Sequence, residues 1–424
     1  MNIAYSEALQ VPTVFPRRKA WALNRLETRN WDFIAATAHC SDYRQLEQLR
    51  EELRVMFGAA HIFFAPSARC AIARVLSSLP GDEVVVPAWT CGVVRRAIEV
   101  AGKRIVYVDI DRNSVNAGVA QYARAAQRGR ILLPTHLFGI PTEIGEIAQL
   151  GRERGCMTLE DAAGAFPSQL GGRLLGSFGD FGVISFERSK RVPSFRGAAI
   201  IVNNEEIADI AKLKERVAEK GSFPIREFLR AIAHNVGTIP WFYGRYMVPH
   251  MLRAYAKSSL IAATDSSITA DPSYTQEFQP YQAALVRRIL RRRDNIRTSI
   301  SRLVAIYTGA LRGTSIQTFT SRLTDPAGLL RFPIAFLGTR RTEILRAALR
   351  RGIFLETNYE KPLPSVARES EFPNSFWAAR NVILLPLYKA LSEKGAAHIV
   401  SEIIDIERRA ARNVARELPE EICA

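Results

Sequence analysis

Lys190 closes the stretch "FGVISFERSK", residues 181–190, in which an apolar run ends at Ser185 and passes into a charged turn. A lysine there is either a solvated loop residue or a working amine. Asp161, in "LEDAAGA", ends another apolar run. A carboxylate at the end of a buried strand costs several kcal/mol unpaired, so it needs a cationic partner, or serves structurally as an N-cap or in an Arg pair. Ser67 precedes a helical pattern and is a plausible cap, so a helix N-terminus joins the set. A buried acid, an amine, a hydroxyl and a helix start together suit pyridoxal phosphate. The ring nitrogen of that group needs a carboxylate to stay protonated and make the ring an electron sink. Its aldehyde needs a lysine amine, and its phosphate needs backbone N–H groups at a helix start.

These residues need a scaffold that brings strand ends together. From about residue 60 the chain alternates between short apolar runs and helical spacing. "SARCAIARVLSSL" is apolar at 68, 71, 72, 75, 76 and 79, a helical period. "DEVVVPAW", "RIVYVDI", "RILLPTHLFG", "CMTLEDA", "FGVISF" and "AAIIVNN" read as strands, the first four separated by helical segments. Strands apolar on both faces, alternating with helices, predict an α/β fold with a mostly parallel sheet flanked by helices. Ligands bind such sheets at the carboxyl ends of the strands. That rule selects Trp89 to Cys91, His136, Asp161 and Ser185 to Lys190. His136 either contacts a ligand there or is a satisfied structural histidine.

At 424 residues the chain exceeds the ~250–300 at which one core stops growing. We expect a large domain over 1–280 and a smaller α+β domain over 281–424. Arg-rich helix and two strand-like runs, "LLRFPIAFL" and "NVILLPLY", mark the second. Residues 222–263 interrupt the pattern as an apolar, aromatic and basic helical insert with no acid after Glu227. It reads as a surface hairpin against a partner subunit or as a patch for a membrane surface. The 58 basic and 42 acidic side chains give a net charge of +16, which favours an anionic small molecule or surface. The basic run "VRRILRRRDNIR" (286–297) reads as a solvated helix face, and no nucleic-acid module accompanies it. The cysteines at 40, 70, 91, 156 and 423 form no CxxC pair, and the histidines form no metal pattern. No apolar stretch of about 18 residues and no secretory start are visible, so a cytoplasmic protein is expected, peripheral to the membrane at most.

The order and spacing of "PGDEV…P", "HLFG", "EDAA", "GD" and "SF…K" are specific as a set. On them the chain resembles the DegT/DnrJ/EryC1/StrS family over roughly residues 50 to 205. The likeness resumes at "FQPYQAALVRRILRRRDN", "GIFLETNYEKPLPS" and "NVILLPLYKALSEKGAAHIV". The resemblance implies the fold type I of pyridoxal-phosphate-dependent aminotransferases, a homodimer, an amino-acid donor such as glutamate, and a nucleotide-linked keto sugar as acceptor. Such enzymes serve polysaccharide or secondary-metabolite synthesis. It implies that Lys190 condenses with the cofactor aldehyde and moves the proton, and that Asp161 pairs with the ring nitrogen. Ala163 would pack on the ring, Ser185 would bind the phosphate, and Ala68 and Arg69 would stand where a Gly-Thr pair offers phosphate-binding amides.

Several positions depart from that pattern. Cys91 stands where an aromatic residue usually stacks on the ring, so either Trp89 substitutes or the ring is less tightly clamped. Gly164 stands where His or Gln reaches the ring hydroxyl. Tyr359 and Lys361 either line the pocket from the small domain or lie on a surface loop. Two alternatives share the same residues: a sugar dehydratase using the same cofactor, and a basic scaffold that binds the cofactor without turnover.

Overall fold

The computed structural model describes residues 20–22, 25–206, 225–249, 277–321, 323–336 and 341–417. Its main sheet has seven strands: β1 (His61–Ala65), β2 (Glu83–Pro87), β3 (Arg104–Val108), β4 (Ile131–Leu132), β5 (Met157–Asp161), β8 (Phe181–Ser185) and β9 (Ala198–Val202), with the small hairpin β6 (Gln169–Leu170) and β7 (Arg173–Leu174) outside it. Their order is β1-β9-β8-β5-β4-β2-β3. The pairs from β3 across to β8 are parallel, and β9 runs antiparallel to both β8 and β1. The expected parallel sheet is thus present, with one reversed strand, β9, set between β8 and the edge strand β1.

Six helices accompany the chain to this point: α1 (Asn30–Thr37), α2 (Arg44–Phe57), α3 (Ala68–Ser78), α4 (Gly92–Val100), α5 (Val119–Ala123) and α6 (Ile144–Arg154). β5, β8 and β9 are almost wholly buried, which explains their uninterrupted apolar sequence. α6 ends at Gly155, whose φ of +65° gives the left-handed turn a glycine adopts without cost. β4 is shorter than "RILLPTHLFG" suggests. Beyond its two residues the chain still runs beside its neighbours, with the Leu133 N–H on the Val85 carbonyl at 2.8 Å and an isolated bridge between Thr135 and Asp161.

α7 (Ile225–Gly237) leads into a short helical turn, Pro240–Phe242, and a π-helical turn, Tyr243–Met247. This is the described part of the 222–263 insert; residues 222–224 and 250–263 lie outside the described residues. Phe228 packs edge-on against Phe33 of α1, and Asn235 bonds to the Thr28 carbonyl. The outward face carries Leu229, Ile239, Trp241 and Tyr246, all exposed.

α8 (Pro280–Leu290) and α9 (Arg293–Leu311) follow, then β10 (Ile316–Thr318), β11 (Phe332–Phe336), α10 (Arg341–Arg350), α11 (Pro373–Asn381), β12 (Val382–Leu385) and α12 (Glu393–Glu417). β10, β11 and β12 form a separate antiparallel sheet. The basic run read as a solvated face is broken between α8 and α9; Arg291 and Arg293 are exposed, while other arginines of the run pair with acids across the fold. Arg287 reaches Glu52 at 2.8 Å, and Arg292 and Arg288 reach the buried Asp32 at 2.6 and 3.6 Å. Those arginines hold α8 to α1 and α2. Sequence spacing showed their common face but not the acids opposite it. Among the described residues no helix is long and apolar enough to cross a membrane.

Candidate functional site

Asp161 ends β5 with 4% of its surface exposed. Its N–H donates to the Pro134 carbonyl at 2.8 Å, and its carbonyl accepts from His136 at 3.1 Å, so the chain after β4 is fastened beside it. One carboxylate oxygen accepts from the Ala163 N–H at 3.0 Å. The other has no hydrogen-bond partner among the described residues. Burial pushes the Asp161 acid above the ordinary aspartate value, while the Ala163 amide and the charges of Lys190 and His136 pull it back. Lys190 therefore acts on Asp161 at the same sheet edge.

The turn that carries Lys190 is built locally. Ser185 Oγ accepts from the Glu187 N–H, the Glu187 carboxylate accepts from Ser189, and the Lys190 N–H donates to the Glu187 carbonyl. Behind it lies Gln282 of α8, fully buried, whose amide donates to the Ser194 and Arg196 carbonyls at 3.0 and 2.8 Å. The "QAAL" helix thus braces the lysine loop. Arg191, the next residue, is buried and paired with Glu27 at 2.8 Å; burial holds its guanidinium down at about 10.

Around these two groups stand Ser67, Ala68 and Arg69 at the start of α3, Cys91 capping α4, Ala163 and Gly164 after Asp161, and Tyr359. Ser67 Oγ accepts from the Cys70 N–H, which starts the helix at Ala68 as its sequence requires. The charges of Lys190, Asp161 and Arg69 all act on Cys91, whose thiol burial pushes upward. Tyr359 has φ +54° and stacks on Phe138, which has φ +58°. Two bulky residues in the left-handed region, in contact, are strained backbone held by their surroundings. The Tyr359 hydroxyl is pushed well above its usual value by burial and by Cys91, Asp161 and Glu356.

At three positions the structure takes the alternative in which the side chain does not line the site. Trp89 is fully enclosed, edge-on to Phe138 and Tyr359, with its indole N–H on the Tyr359 carbonyl at 2.8 Å. It is a wall behind the site and has no open face on which a ring could stack. His136 is also fully buried and takes the structural alternative. Its Nδ1 accepts from the Thr142 N–H at 3.1 Å, so Nε2 carries the proton and donates to Glu160 at 2.9 Å. Lys361 is exposed and joins none of the contacts around Lys190.

Residues that sequence reasoning missed complete the picture. Glu160 has no exposed surface and accepts from Gly176, Phe178 and Gly179 as well as His136. The acid beside Asp161 in "LED" was the available signal. Thr135 forms a bridge with Asp161, and Thr135 Oγ1 and Thr90 Oγ1 are buried with no partner. Arg331 and Glu356, from the second sheet and its approach, act on each other electrostatically, and Lys190 acts on Glu356; nothing in their spacing marks them.

A model of the DegT/DnrJ/EryC1/StrS aminotransferase family matches residues 27–404. The chain is 32% identical over 158 residues to a UDP-N-acetyl-3-dehydro-alpha-D-glucosamine 3-aminotransferase of Acidithiobacillus ferrooxidans, a match covering 36% of this chain and 43% of that protein. Thus it spans less than half of that relative. It is 26% identical over 338 residues to a dTDP-4-dehydro-2,3,6-trideoxy-D-glucose 4-aminotransferase of Saccharopolyspora spinosa, covering 78% and 79% of the two chains. In structure it is similar to a putative sugar aminotransferase of Streptococcus pneumoniae in its PMP form, with a TM-score of 0.71 and 19% identity over 93% of this chain and 100% of the other.

Proposed function

Because this chain belongs to the DegT/DnrJ/EryC1/StrS aminotransferase family, we propose that it moves an amino group from an amino acid, glutamate in our reading, to a nucleotide-linked keto sugar, using pyridoxal phosphate. The observation that carries the reading is the pair at the sheet edge. A buried Asp161 keeps one carboxylate oxygen without a protein partner, and the Lys190 charge acts on it.

The residues fit that cofactor. The unpartnered Asp161 oxygen suits a protonated ring nitrogen, and the orphaned hydroxyls of Thr90 and Thr135 lie at the same strand ends. The helix start at Ala68 and Arg69 and the Ser185 hydroxyl suit a phosphate, since a helix N-terminus leaves its first amides outside the helical ladder. When bound, the cofactor supplies an electron sink that makes the proton on the carbon bearing the nitrogen removable. Asp161 holds the proton on the ring nitrogen. Lys190 supplies the amine that tethers the cofactor and, once released, carries the proton between carbons. Ala163 and Cys91 would stand beside the ring. Cys91 gives a small, neutral contact where a larger ring would clamp, and Gly164 leaves room beside the His136 carbonyl, 3.4 Å from where a Cβ would sit.

The reading includes a homodimer and a division near residue 280. It also includes contact of 222–263 with a membrane surface. Supporting the last, seven of the thirteen exposed large apolar side chains among the described residues fall between Ile225 and Met247, alongside Arg230 and Arg245. The central test is Lys190→Ala. The wild-type protein with cofactor should be yellow and lose that colour with glutamate. The variant should lack the lysine-dependent visible band and lose transfer by more than about 10³-fold. An unchanged spectrum would refute the assignment of Lys190.

A further inference from the structure

Thr135 lies beyond the end of β4 with 7% of its surface exposed, and its Oγ1 is buried with no hydrogen-bond partner. A buried hydroxyl without a partner is costly and calls for an explanation. The backbone fixes where it stands. Asp161 donates its N–H to the Pro134 carbonyl and accepts from the His136 N–H, which makes Thr135 its parallel partner. Parallel partners leave a sheet on the same face, with their strands about 4.8 Å apart. The Thr135 side chain therefore stands beside the Asp161 carboxylate, which itself keeps one oxygen without a partner among the described residues. Thr90 carries another orphaned hydroxyl. It follows β2, and β4 lies between β2 and β5 in the sheet. Thr135 is the one on the strand next to Asp161.

Pyridoxal phosphate brings four polar groups to this edge: a ring nitrogen, an aldehyde, a phosphate and the ring hydroxyl beside the aldehyde. Asp161 suits the first, Lys190 the second, and the start of α3 with Ser185 the third. The fourth has no side chain waiting at Gly164, three residues after Asp161. A Cβ on Gly164 would meet the His136 carbonyl at 3.4 Å and the Phe138 amide nitrogen at 3.9 Å. That wall is the chain running on from Thr135. The ring hydroxyl and the Thr135 hydroxyl are thus the two groups left over at the same strand ends.

We propose that Thr135 donates its hydroxyl hydrogen to the ring oxygen of the bound cofactor, a contact that Gly164 cannot make. The proposal rests on the aminotransferase reading above. A threonine hydroxyl rotates to present its hydrogen, and a donor to a charged oxygen is stronger than a neutral pair. The contact has a chemical consequence at Lys190. When the nitrogen joining Lys190 to the cofactor loses its proton, negative charge is left on the ring oxygen. A donor on that oxygen stabilises the deprotonated form and lowers the pH at which the yellow colour fades.

The test compares wild type, Thr135→Val, which removes the hydroxyl at nearly constant volume, and Thr135→Ser, which keeps it. Cofactor-free Thr135→Val should melt about 2–6 °C above wild type, because an unsatisfied buried group is gone. Its affinity for pyridoxal phosphate, titrated by absorbance, should fall about tenfold or more, the range of a hydrogen bond to a charged group. The pH midpoint of its yellow band should rise by about one unit. Thr135→Ser should stay close to wild type in affinity and midpoint. The charged groups that act around Lys190, namely Asp161, Cys91 and Glu356, are the same in every variant, so a moved midpoint reports the hydroxyl. A side chain that merely packs would not raise cofactor-free stability and lower cofactor affinity together. Weaker binding with an unmoved midpoint would overturn the assignment to the ring oxygen. A cofactor-free Thr135→Val that melts below wild type would overturn it as well, since the hydroxyl would then be satisfied within the protein. Uptake by wild type with unchanged affinity in Thr135→Val sinks the contact alone. No uptake by wild type sinks the aminotransferase reading, and the contact with it.

Discussion

Replacing Glu160 with Gln tests how the sheet edge is held. Four donors converge on this carboxylate: the Gly176 amide and His136 Nε2 on one oxygen, and the Phe178 and Gly179 amides, at 2.8 and 3.1 Å, on the other. The glutamine side chain has one acceptor and one donor. Whichever way it turns, two buried donors face its NH₂ group. Each unsatisfied buried group costs about 1–3 kcal/mol, so the pair should cost roughly 2–4 kcal/mol after relaxation. That is a large part of a typical stability of about 5–15 kcal/mol. At about 2 °C per kcal/mol for a large chain, the melting temperature should fall by roughly 4–8 °C. Thermal unfolding measures this, and amide exchange should quicken at Phe178 and Gly179. Cofactor affinity should fall too, because Asp161 is the adjacent residue and His136 donates its backbone N–H to the Asp161 carbonyl. A Glu160→Gln protein melting within about 1 °C of wild type, with those amides still protected, would refute the reasoning.

Asp161→Asn separates stability from function. Burial raises the folded acid above its unfolded value, so the ionised form penalises folding fully at high pH, and the penalty lifts as pH falls through the folded value toward the ordinary one. The cofactor-free variant should therefore melt above wild type near pH 8, with the gap closing in acid, while its cofactor affinity drops by about 10²–10³-fold; calorimetry at several pH values and cofactor titration check both. Gly139→Ala should destabilise by about 2 kcal/mol or more, since it combines a positive φ with a clash against fixed backbone. Chemical denaturation measures the effect. Deleting residues 222–263 should abolish flotation with anionic vesicles; equal flotation of the intact and shortened proteins would end the membrane reading.

What the residues alone determined was the alternation of elements and the placing of Lys190 and Asp161 at the ends of apolar runs. Both are local properties. Continuous apolar runs specify strands buried on both faces, and a charge at the end of such a run needs a partner wherever the chain goes. Ser67 marked the start of α3 for a similar reason, since its side chain satisfies an amide three residues on. Tertiary structure decided what depended on approach across long separations. His136 became structural only because Thr142 and Glu160 occupy its two nitrogens. Trp89 was closed off by Tyr359, 270 residues away. The arginines of 286–297 found Asp32 and Glu52. The loops at Gly139 and Gly328 were brought together by a contact only a glycine permits. Hydrophobic period and local capping are written in neighbouring residues, whereas the partner of a buried charge is fixed only when the packed core excludes water and leaves each polar group whatever the fold has placed within reach.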